Sequence, residues 1–546
     1  MNRKSRSFLR AARRIRLAAA ACLACLGLSA QAAPTPGALT GLAGDFSSRV
    51  AAIEALGIDG GDDASRVLDA LEAGKLGVWK DQVYILGDQG IFDAASGEKT
   101  QVDPVTVETI TVNNRIRRAL SSARAAIALT SGNPAERLAA ANTLNESPSS
   151  ALLPLFGRAL ATESDEAVRA MLVLAAARIK LTDADPAVRR QAAQDLGAAS
   201  DAAVRNLLAG LLAKTGEGAA AWVEPDVGVR EAAAASLRAI DRRIALAETT
   251  GAVFTGLSLG SILLLAALGL AITYGVMGVI NMAHGELLMI GAYATFVVQN
   301  VFRQYFPEWL DAYIIAAIPV AFLAAALTGV AMERLVLRHL YGRPLESLLA
   351  TWGLSLVLIQ AARVTFGPQN LELANPGWMS GGISLAAGVV LPFNRIVIVF
   401  FAALVLLLIW LTMQKTRLGM FVRAVTQNRA MAGCVGVPTA RVDTLAFAIG
   451  AGVAGLGGAA LSQIANVGPA MGQGYIVDAF MVVVLGGVGQ LAGAVWAALG
   501  LGIVSKFLEG LAGAVIAKIL VLIFIIIFIQ KRPQGIFALK GRFADD

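Results

Sequence analysis

Cysteine and histidine are almost absent from the sequence, which contains only three cysteines and two histidines in 546 residues. The histidines, His284 and His339, are far apart and no H-E-x-x-H pattern occurs, so we predict no metal site. Cys22 and Cys25 lie close to the N-terminus, and Cys434 is the third cysteine. This distribution does not allow a framework of disulfides.

Charged residues are also scarce. They make up 16% of the chain against 56% hydrophobic residues, and the mean hydropathy is +0.65, which is too apolar for a soluble protein of this length. Long uncharged runs begin only near Gly251, whereas residues 34–250 carry charges throughout. We therefore expect a mainly α-helical, polytopic membrane protein with a charged domain in front of it. The basic residues show no pattern typical of nucleic-acid binding.

The N-terminus has the pattern of a secretory signal. A basic segment leads into the apolar run LAAAACLACLGLSA, which ends in the small-residue pattern Ala30-Gln31-Ala32. We expect residues 1–32 to be removed, together with the two cysteines they contain, so that the mature chain starts near Ala33. The alternative is a transmembrane helix that stays in place, but the apolar stretch is short for a span.

Residues 33–130 are predicted to form a small mixed α/β segment. Strands are expected at residues 79–86 and 105–112, because both stretches are rich in residues that favour strands. A turn between strands is expected at residues 94–97. The charged domain therefore begins with a part that differs from the alanine-rich sequence after it.

A five-residue signature, Asp-x-x-Val-Arg, recurs within residues 131–250. Its copies start at Asp165, Asp185, Asp201 and Asp226. Each copy leads into apolar positions four apart, the spacing of one helix face, and its aspartate can cap the helix. Asn133-Pro134 opens a degenerate earlier copy. The pattern resembles a helical-hairpin solenoid of the HEAT type, which usually presents a surface to another protein, and a plain helical bundle is the alternative.

Residues 251–546 are predicted to form the membrane domain, with about eight or nine helices. The apolar segments are residues 253–273, 276–301, 312–333, 347–366, 395–413, 443–463, 475–488, 491–509 and 513–530. The segment 475–488 is short and is broken by Gly486, Gly487 and Gly489, so two re-entrant half-helices are an alternative to two full spans. We expect these glycines to allow close helix packing or a bend.

Lysine and arginine cluster in three stretches of the membrane domain, at residues 334–343, 415–441 and 531–542. Positive charge concentrates on the cytoplasmic side of membrane proteins, so these three stretches should be cytoplasmic. The loops 367–394 and 464–474 hold few basic residues and fit the opposite side. With the N-terminal domain exported to the periplasm and the C-terminus inside, the number of crossings must be odd.

Residues 274–293 place Asn281, His284 and Glu286 in a run that is otherwise apolar and rich in glycine. Such groups are costly in hydrocarbon unless they face a bundle interior or a watery cavity, so they predict a solute path. Asn281 and His284 are three apart and are expected to share a helix face. The complete predicted path consists of Tyr274, Asn281, His284, Glu286, Gln360, Gln463, Asn466 and Gln473. The alternative for each residue is a structural hydrogen bond between helices.

Four stretches together carry a resemblance to a known family. They are INMAHGELLMIGAY at 280–293, TRLGMFVRAVTQNRAMAGCVGV at 416–437, VVVLGGVGQLAGAVWAALGLG at 482–502 and RPQGIFA from residue 532. The chain resembles the branched-chain amino acid and urea permeases of ABC importers over nearly all of residues 251–540. The resemblance implies that 416–437, a short helix with a glycine break, is the loop that couples to the ATPases. The residues predicted for coupling are Arg417, Gly419, Arg423, Asn428, Gly433 and Gly436.

The resemblance also implies partners. These are a second related permease chain, two ATP-binding subunits and a periplasmic binding protein, assembled at the inner membrane of a bacterium. The Walker A pattern G-x-x-x-x-G-K-[ST] does not occur in this sequence, so ATP and magnesium are expected on the partner subunits. We expect neither catalytic residues nor a cofactor on this chain.

Urea is the expected solute, because proteobacterial urea permeases of this family have a similar long secreted extension. The similarity includes VWKDQVYILGDQG at 78–90 and VETITVNNRIRRAL at 107–120. The binding protein would then be a urea-binding protein, and the solute small and neutral. Branched-chain amino acids or short amides are the alternative within the same family.

Two other classes of function are weaker alternatives. The chain could be an intramembrane enzyme that uses His284 and Glu286, but no second catalytic cluster occurs in the apolar segments. It could also be a receptor whose helical repeats sense a ligand, and the resemblance of the coupling loop counts against that.

Overall fold

A computed structural model describes the chain over residues 36–87, 90–103, 106–215, 221–384 and 389–537. The chain divides into two compact units, residues 1–242 and 243–546. The predicted signal sequence, residues 1–32, lies outside the described residues, as do Lys540 and Arg542 of the basic tail. Cleavage of the signal therefore stays a prediction.

The first unit begins with helices and a small antiparallel sheet. Its elements are α1 (Pro36–Ala43), α2 (Phe46–Asp59), α3 (Asp62–Glu72), β1 (Leu76–Trp79), β2 (Gln82–Gly87), β3 (Gly90–Asp93), β4 (Lys99–Thr100), β5 (Glu108–Thr109) and α4 (Asn114–Ala128). The strands pair in the order β4-β3-β2-β1-β5. One apolar core, which includes Leu56, Leu76 and Ile116, packs the helices against this sheet.

The predicted strand at residues 79–86 is wrong as a single strand. Lys80 and Asp81 have φ of 48° and 62° and turn the chain between β1 and β2. Two successive residues with positive φ suit the tight turn of a hairpin, which the strand-forming residues around them concealed. The strand predicted at 105–112 is shorter than expected, since only Glu108–Thr109 is paired within the described part of that stretch.

The turn predicted at residues 94–97 is confirmed. The carboxylate of Asp93 accepts hydrogen bonds from the backbone N–H groups of Ala95 (2.7 Å) and Ser96 (3.0 Å). Gly97 then takes φ of 72°, which glycine adopts without steric cost. The aspartate side chain therefore closes the connection between β3 and β4.

A series of short helices completes the first unit. They are α5 (Pro134–Glu146), α6 (Leu153–Thr162), α7 (Glu166–Lys180), α8 (Pro186–Leu196) and α9 (Ala202–Leu211), with a 3₁₀ turn at Ser150–Leu152, the strand pair β6 (Lys214–Thr215) and β7 (Ala221–Trp222), and the start of α10 (Val227–Met277). In all four signature copies the aspartate accepts a hydrogen bond of 2.8–2.9 Å from a backbone N–H two or three residues later. The predicted capping is therefore confirmed. The HEAT-like interpretation of residues 131–250 stays a prediction.

An ion pair recurs between the repeats, and sequence analysis missed it. Arg137 binds both carboxylate oxygens of Glu163 at 2.8 Å, and Arg189 binds both oxygens of Glu224 at 3.0 and 2.8 Å. Each arginine lies four residues after a capping residue, and each glutamate lies two residues before the capping aspartate of a later copy. The hydrogen bond from Arg137 lowers the pKa of Glu163 to about 2. Nearly buried, bidentate pairs thus join the copy at Asn133 to that at Asp165, and the copy at Asp185 to that at Asp226, past the copy at Asp201.

The second unit consists mainly of long apolar helices. After α10 come α11 (His284–Tyr305), α12 (Tyr313–Leu335), α13 (Pro344–Phe366), α14 (Phe393–Lys415), α15 (Arg417–Gln427), α16 (Arg429–Cys434), α17 (Thr439–Leu461), α18 (Met471–Gly486), α19 (Leu491–Ala512) and α20 (Ala514–Lys531), with the hairpin β8 (Gly382–Ser384) and β9 (Val390–Pro392) and 3₁₀ turns at Pro307–Ala312, Leu337–His339 and Gly377–Met379. Eight of the described helices, α10 to α14, α17, α19 and α20, are long and apolar enough to cross a membrane. This confirms a multi-pass membrane protein.

The predicted segment 475–488, which is not among these eight, forms α18, which has 16 residues. A helix of that length rises about 24 Å, which is short of the roughly 30 Å of the hydrocarbon core. The next helix, α19, has 22 residues, so the alternative of two short re-entrant helices is wrong for α19. The predicted segment 276–301 is wrong at its start, because residues 276 and 277 belong to α10.

Glycines bring α11, α12 and α17 into backbone contact. A Cβ added to Gly458 would lie 1.8 Å from the carbonyl oxygen of Leu288, and one added to Gly291 would lie 2.0 Å from that of Gly455. Small residues allow this approach, which is how helices associate in a lipid environment. A Cβ added to Gly455 would also lie 2.6 Å from the carbonyl oxygen of Ala321 on α12, so the three helices pack together with no room for side chains at these contacts.

The role expected for the glycines between α18 and α19 is confirmed. Gly487 and Gly489 have φ of 99° and 74° and turn the chain. A Cβ on Gly493 would lie 1.9 Å from the carbonyl oxygen of Gly486, so the two helices touch through their backbones.

Candidate functional site

The predicted solute path begins at a break between α10 and α11. Gly278 has φ of 63° and follows the last residue of α10, and α11 starts only at His284. In between, the side-chain oxygen of Asn281 accepts a hydrogen bond of 3.0 Å from the N–H of Ala283. The expectation that Asn281 and His284 share a helix face is wrong, because Asn281 lies in the break. Its amide instead satisfies a backbone group that the interrupted helix leaves free.

Polar contacts from three helices meet at this break. The Nε2 of His284 lies 2.9 Å from the carbonyl oxygen of Ala266 on α10. Glu286 accepts a 2.8 Å hydrogen bond from the hydroxyl of Ser355 on α13. One more hydroxyl of α13, that of Thr351, accepts the N–H of Met282 at 3.1 Å. The break is thus held between α10 and α13 by specific hydrogen bonds.

Part of this polar cluster has no hydrogen-bonding partner. Asn281, His284 and Glu286 are all at most 2% exposed. Yet Asn281 Nδ2, His284 Nδ1 and Glu286 Oε2 make no hydrogen bond within the described part of the chain. Each unpaired buried polar atom destabilises the folded protein by about 1–3 kcal/mol. Three such atoms within six residues therefore indicate a function other than stability. They supply an NH₂ donor, a carboxylate acceptor and an imidazole nitrogen, Nδ1, which accepts in the neutral ring because Nε2 donates its proton to Ala266.

Gln463 belongs to a second polar cluster. It accepts a hydrogen bond of 3.0 Å from the hydroxyl of Tyr313, which also contacts the carbonyl oxygen of Ala374 at 3.1 Å. Gln299 donates to the same carbonyl at 2.7 Å. Because Gln299 follows His284 by 15 residues on α11, the two clusters are about 22 Å apart along the helix. The structure therefore does not bring Gln463 to the break.

The remaining predicted path residues lie elsewhere. Gln360, Asn466 and Gln473 are exposed on this chain, and Tyr274 is half-buried against the apolar core. Their part in the path stays a prediction. The residues that sequence analysis missed are Ser355 and Thr351, although a signal was present: Ser347, Thr351 and Ser355 follow one another at intervals of four in an apolar run, and all three are buried. Hydroxyls at that spacing mark one helix face.

The predicted coupling segment, 416–437, forms two short helices. Thr416 caps α15 and Asn428 caps α16, where the side-chain oxygen of Asn428 accepts the N–H of Met431 at 2.9 Å. Arg417 is exposed, and the guanidinium of Arg423 donates to the carbonyl oxygen of Met413 at the end of α14. A short helix with a break before the return to α17 was predicted and is confirmed. Its coupling role stays a prediction.

The three glycines of this segment differ in what they require. A Cβ on Gly419 would lie 2.1 Å from the carbonyl oxygen of Met413, and Gly436 has φ of 85°. Gly433 is helical, exposed and free of any atom within 4 Å of an added Cβ. A bulky residue at Gly433 would therefore meet neither a close contact nor a special backbone angle in the described structure. Glycine is needed at Gly419 for space and at Gly436 for conformation.

Among the described residues no group of three histidine, cysteine, aspartate or glutamate side chains could hold a metal ion. His284 and Glu286 have no third such partner. What the second unit offers is a bundle of apolar helices with a buried polar break, and a basic segment of short helices outside the apolar spans. That arrangement defines a membrane transport protein.

The comparison with protein families gives the same class. The family model described as branched-chain amino acid transport system / permease component matches residues 252–529, which is half of the chain. The chain therefore belongs to this permease family. It is an ABC-type permease subunit and not an enzyme.

Named relatives cover the second unit. The chain is 30% identical over 287 residues to the high-affinity branched-chain amino acid transport system permease protein BraD of Pseudomonas aeruginosa. The aligned region covers 52% of this chain and 93% of BraD. The chain is also 30% identical over 292 residues to LivH of Escherichia coli K12, of the same description, over 52% of this chain and 94% of LivH. The ribose import permease protein RbsC of Escherichia coli K12 is 28% identical over 202 residues, 36% of this chain and 60% of RbsC. No solved structure matches.

Proposed function

We propose that this chain is the membrane subunit of an ABC importer that moves urea inward. The observation that supports a small polar solute is the cluster of unpaired donor and acceptor atoms at Asn281, His284 and Glu286. Urea has one carbonyl and two amino groups and can pair with both kinds of atom. A path for a neutral solute needs such groups at close quarters, with surrounding helices that exclude larger molecules.

The choice of urea also depends on the first 250 residues. BraD and LivH are covered over 93–94% of their own length, yet these matches span only 52% of this chain. The extension thus has no counterpart in those alignments, whereas it resembles the secreted extension of urea permeases. Branched-chain amino acids are the second candidate, favoured by the names of these two relatives.

The assembly we propose contains a second related permease chain, two ATP-binding subunits and a periplasmic binding protein. ATP and magnesium would bind the ATP-binding subunits, and 416–437 would contact them. Residues 34–250 would be periplasmic and the chain after α20 cytoplasmic. This orientation needs an odd number of crossings, so α18 would have to cross in addition to the eight long helices. A cysteine at Ala203, an exposed position on α9, should then react with an impermeant reagent in intact cells, and reaction only after permeabilisation would overturn this orientation.

The solute assignment is tested in the reconstituted complex. Urea should stimulate ATP hydrolysis and be taken up, and leucine should do neither. Stimulation by leucine without a response to urea would replace urea by the second candidate. Because the complex is reconstituted, other solute-binding proteins of the cell do not affect either outcome.

The polar break is tested by three variants. Asn281→Ala removes both the oxygen that accepts the N–H of Ala283 and the free NH₂ group, and it should impair uptake more than Glu286→Gln, because urea does not need a fixed charge. Asn281→Ser keeps a side-chain oxygen that can accept this N–H and removes the NH₂ group. If Asn281→Ser transports normally, Asn281 only holds the backbone of the break and is not part of the path.

A further inference from the structure

A cluster of charged and hydroxyl groups joins α16 to the ends of two membrane helices. Arg429, the first residue of α16, forms a bidentate ion pair with Asp443 on α17, and its guanidinium lies 4.8 Å from the centre of the Tyr341 ring. The Tyr341 hydroxyl donates to Glu333 at the end of α12, at 3.2 Å. Thr444 donates to the other oxygen of Glu333 at 2.7 Å.

The charges in this cluster make the contact difficult to break. Asp443 and Glu333 are 0% and 3% exposed, and Arg429 is the cation that pairs with Asp443 in the described structure. Separating α16 from α17 would leave a buried carboxylate without its counter-ion, which is strongly unfavourable. Burial raises the pKa of the Tyr341 hydroxyl, so this group keeps its proton and remains a donor to Glu333.

The two helices that this cluster holds are themselves closely packed. A Cβ on Gly455 of α17 would lie 2.6 Å from the carbonyl oxygen of Ala321 on α12, and the contact of Gly458 with Leu288 joins α17 to α11. Packed helices move as rigid elements, because their interiors have no space for gradual deformation. A displacement of α16 would therefore reach α11, whose first turn carries His284 and Glu286.

We propose that Arg429 is the positioning residue that transmits movement of α15 and α16 to the solute path, by anchoring α16 to Asp443 and Tyr341. This inference depends on the proposed transport function. A planar guanidinium is required, because it must bind both oxygens of Asp443 and stack on Tyr341 at the same time.

The test uses the complete importer reconstituted in vesicles, with the amount of solute taken up per ATP hydrolysed as the readout. Arg429→Ala should lower this ratio about tenfold or more, and Arg429→Lys should restore only part of it. The matched control is Arg441→Ala, an exposed arginine at the start of α17 whose side chain forms no ion pair in the described structure. A purely structural role would reduce the amount of complex but leave the ratio unchanged.

A second measurement does not depend on transport. A nitroxide attached to Cys434, the exposed last residue of α16, reports the mobility of that helix in a chain with Cys22 and Cys25 replaced by serine. Its spectrum should show a more mobile label in Arg429→Ala and Arg429→Lys than in Arg441→Ala. An unchanged spectrum, or an unchanged uptake ratio with a mobile label, would overturn the proposal. Absence of uptake in the unmodified complex would instead overturn the proposed function, and the spectrum would still decide whether Arg429 anchors α16.

Discussion

The two units of this chain differ in the kind of contact that stabilises the interior of each. In the first unit, capped short helices bury apolar faces, and nearly buried Arg–Glu pairs link separate copies of the signature. In the second unit, α11, α12 and α17 meet at glycines where backbone atoms touch. The two units therefore use two different ways of packing.

The environment explains this difference. In water, burying leucine and valine is itself favourable, so helices can associate through large side chains, and charged pairs at their ends fix the register. In lipid, an apolar side chain gains little by leaving the acyl chains. Helices are then held by close van der Waals contact, which small residues permit. In the second unit, the most destabilising substitutions should be those that add volume at a glycine contact. In the first unit, they should be those that remove one partner of a buried ion pair.

The largest effect is expected from Gly458→Leu. Its side chain would start 1.8 Å from the carbonyl oxygen of Leu288, a backbone atom that cannot move without separating α11 from α17. We expect a loss of more than about 3 kcal/mol and no monodisperse protein in detergent, as measured by size-exclusion chromatography. Gly353→Leu is the control, since a Cβ at Gly353 meets no atom within 4 Å. Equal behaviour of the two variants would show that the backbone contact is unimportant.

The next effect concerns the ion pairs of the first unit. Arg189→Met leaves Glu224, which is 4% exposed, without its cation and should destabilise α8 and its neighbours by about 3 kcal/mol. Arg205→Met removes the same signature position, but its pair with Asp241 is 44% and 45% exposed and should be worth less than about 1 kcal/mol. Hydrogen exchange of these helices in the intact chain measures both. Similar losses in both variants would mean that burial of the pair does not matter.

The pH dependence of the first unit follows from Glu163. Its pKa is lowered from 4.5 to about 2 by the hydrogen bond from Arg137, so the folded state favours the ionised form. The resulting stability is present above pH 4.5 and is lost as the pH falls towards 2. Hydrogen exchange of α5 to α7, corrected for the intrinsic rate, should show this decline. Arg137→Met should flatten it, and an unchanged slope in that variant would assign the decline to other carboxylates.

The features that sequence analysis predicted correctly depend on short stretches of chain. An aspartate caps the helix that follows it, and an apolar run of about 20 residues spans a membrane, whatever lies elsewhere. The missed features join distant residues: Thr444 and Glu333 are 111 positions apart, and Arg189 and Glu224 are 35 apart. A single sequence gives no sign of such pairs. The break at Asn281 is intermediate, since Gly278 could have marked it, but the apolar residues on both sides favoured a continuous helix.

The smallest effect is expected in the segment 416–437. Here Gly436, which has a backbone angle that favours glycine, can be compared with Gly433, which has no such angle. Gly436 has φ of 85°, and a β-branched residue there should cost about 1–2 kcal/mol of local stability, because its Cβ crowds the backbone in this conformation. Gly433 is helical and open, so valine should be tolerated there. We therefore expect Gly436→Val, and not Gly433→Val, to increase hydrogen exchange in α16 and to lower uptake by the reconstituted complex. Equal uptake by both variants would mean that the turn before α17 does not need this backbone angle for transport.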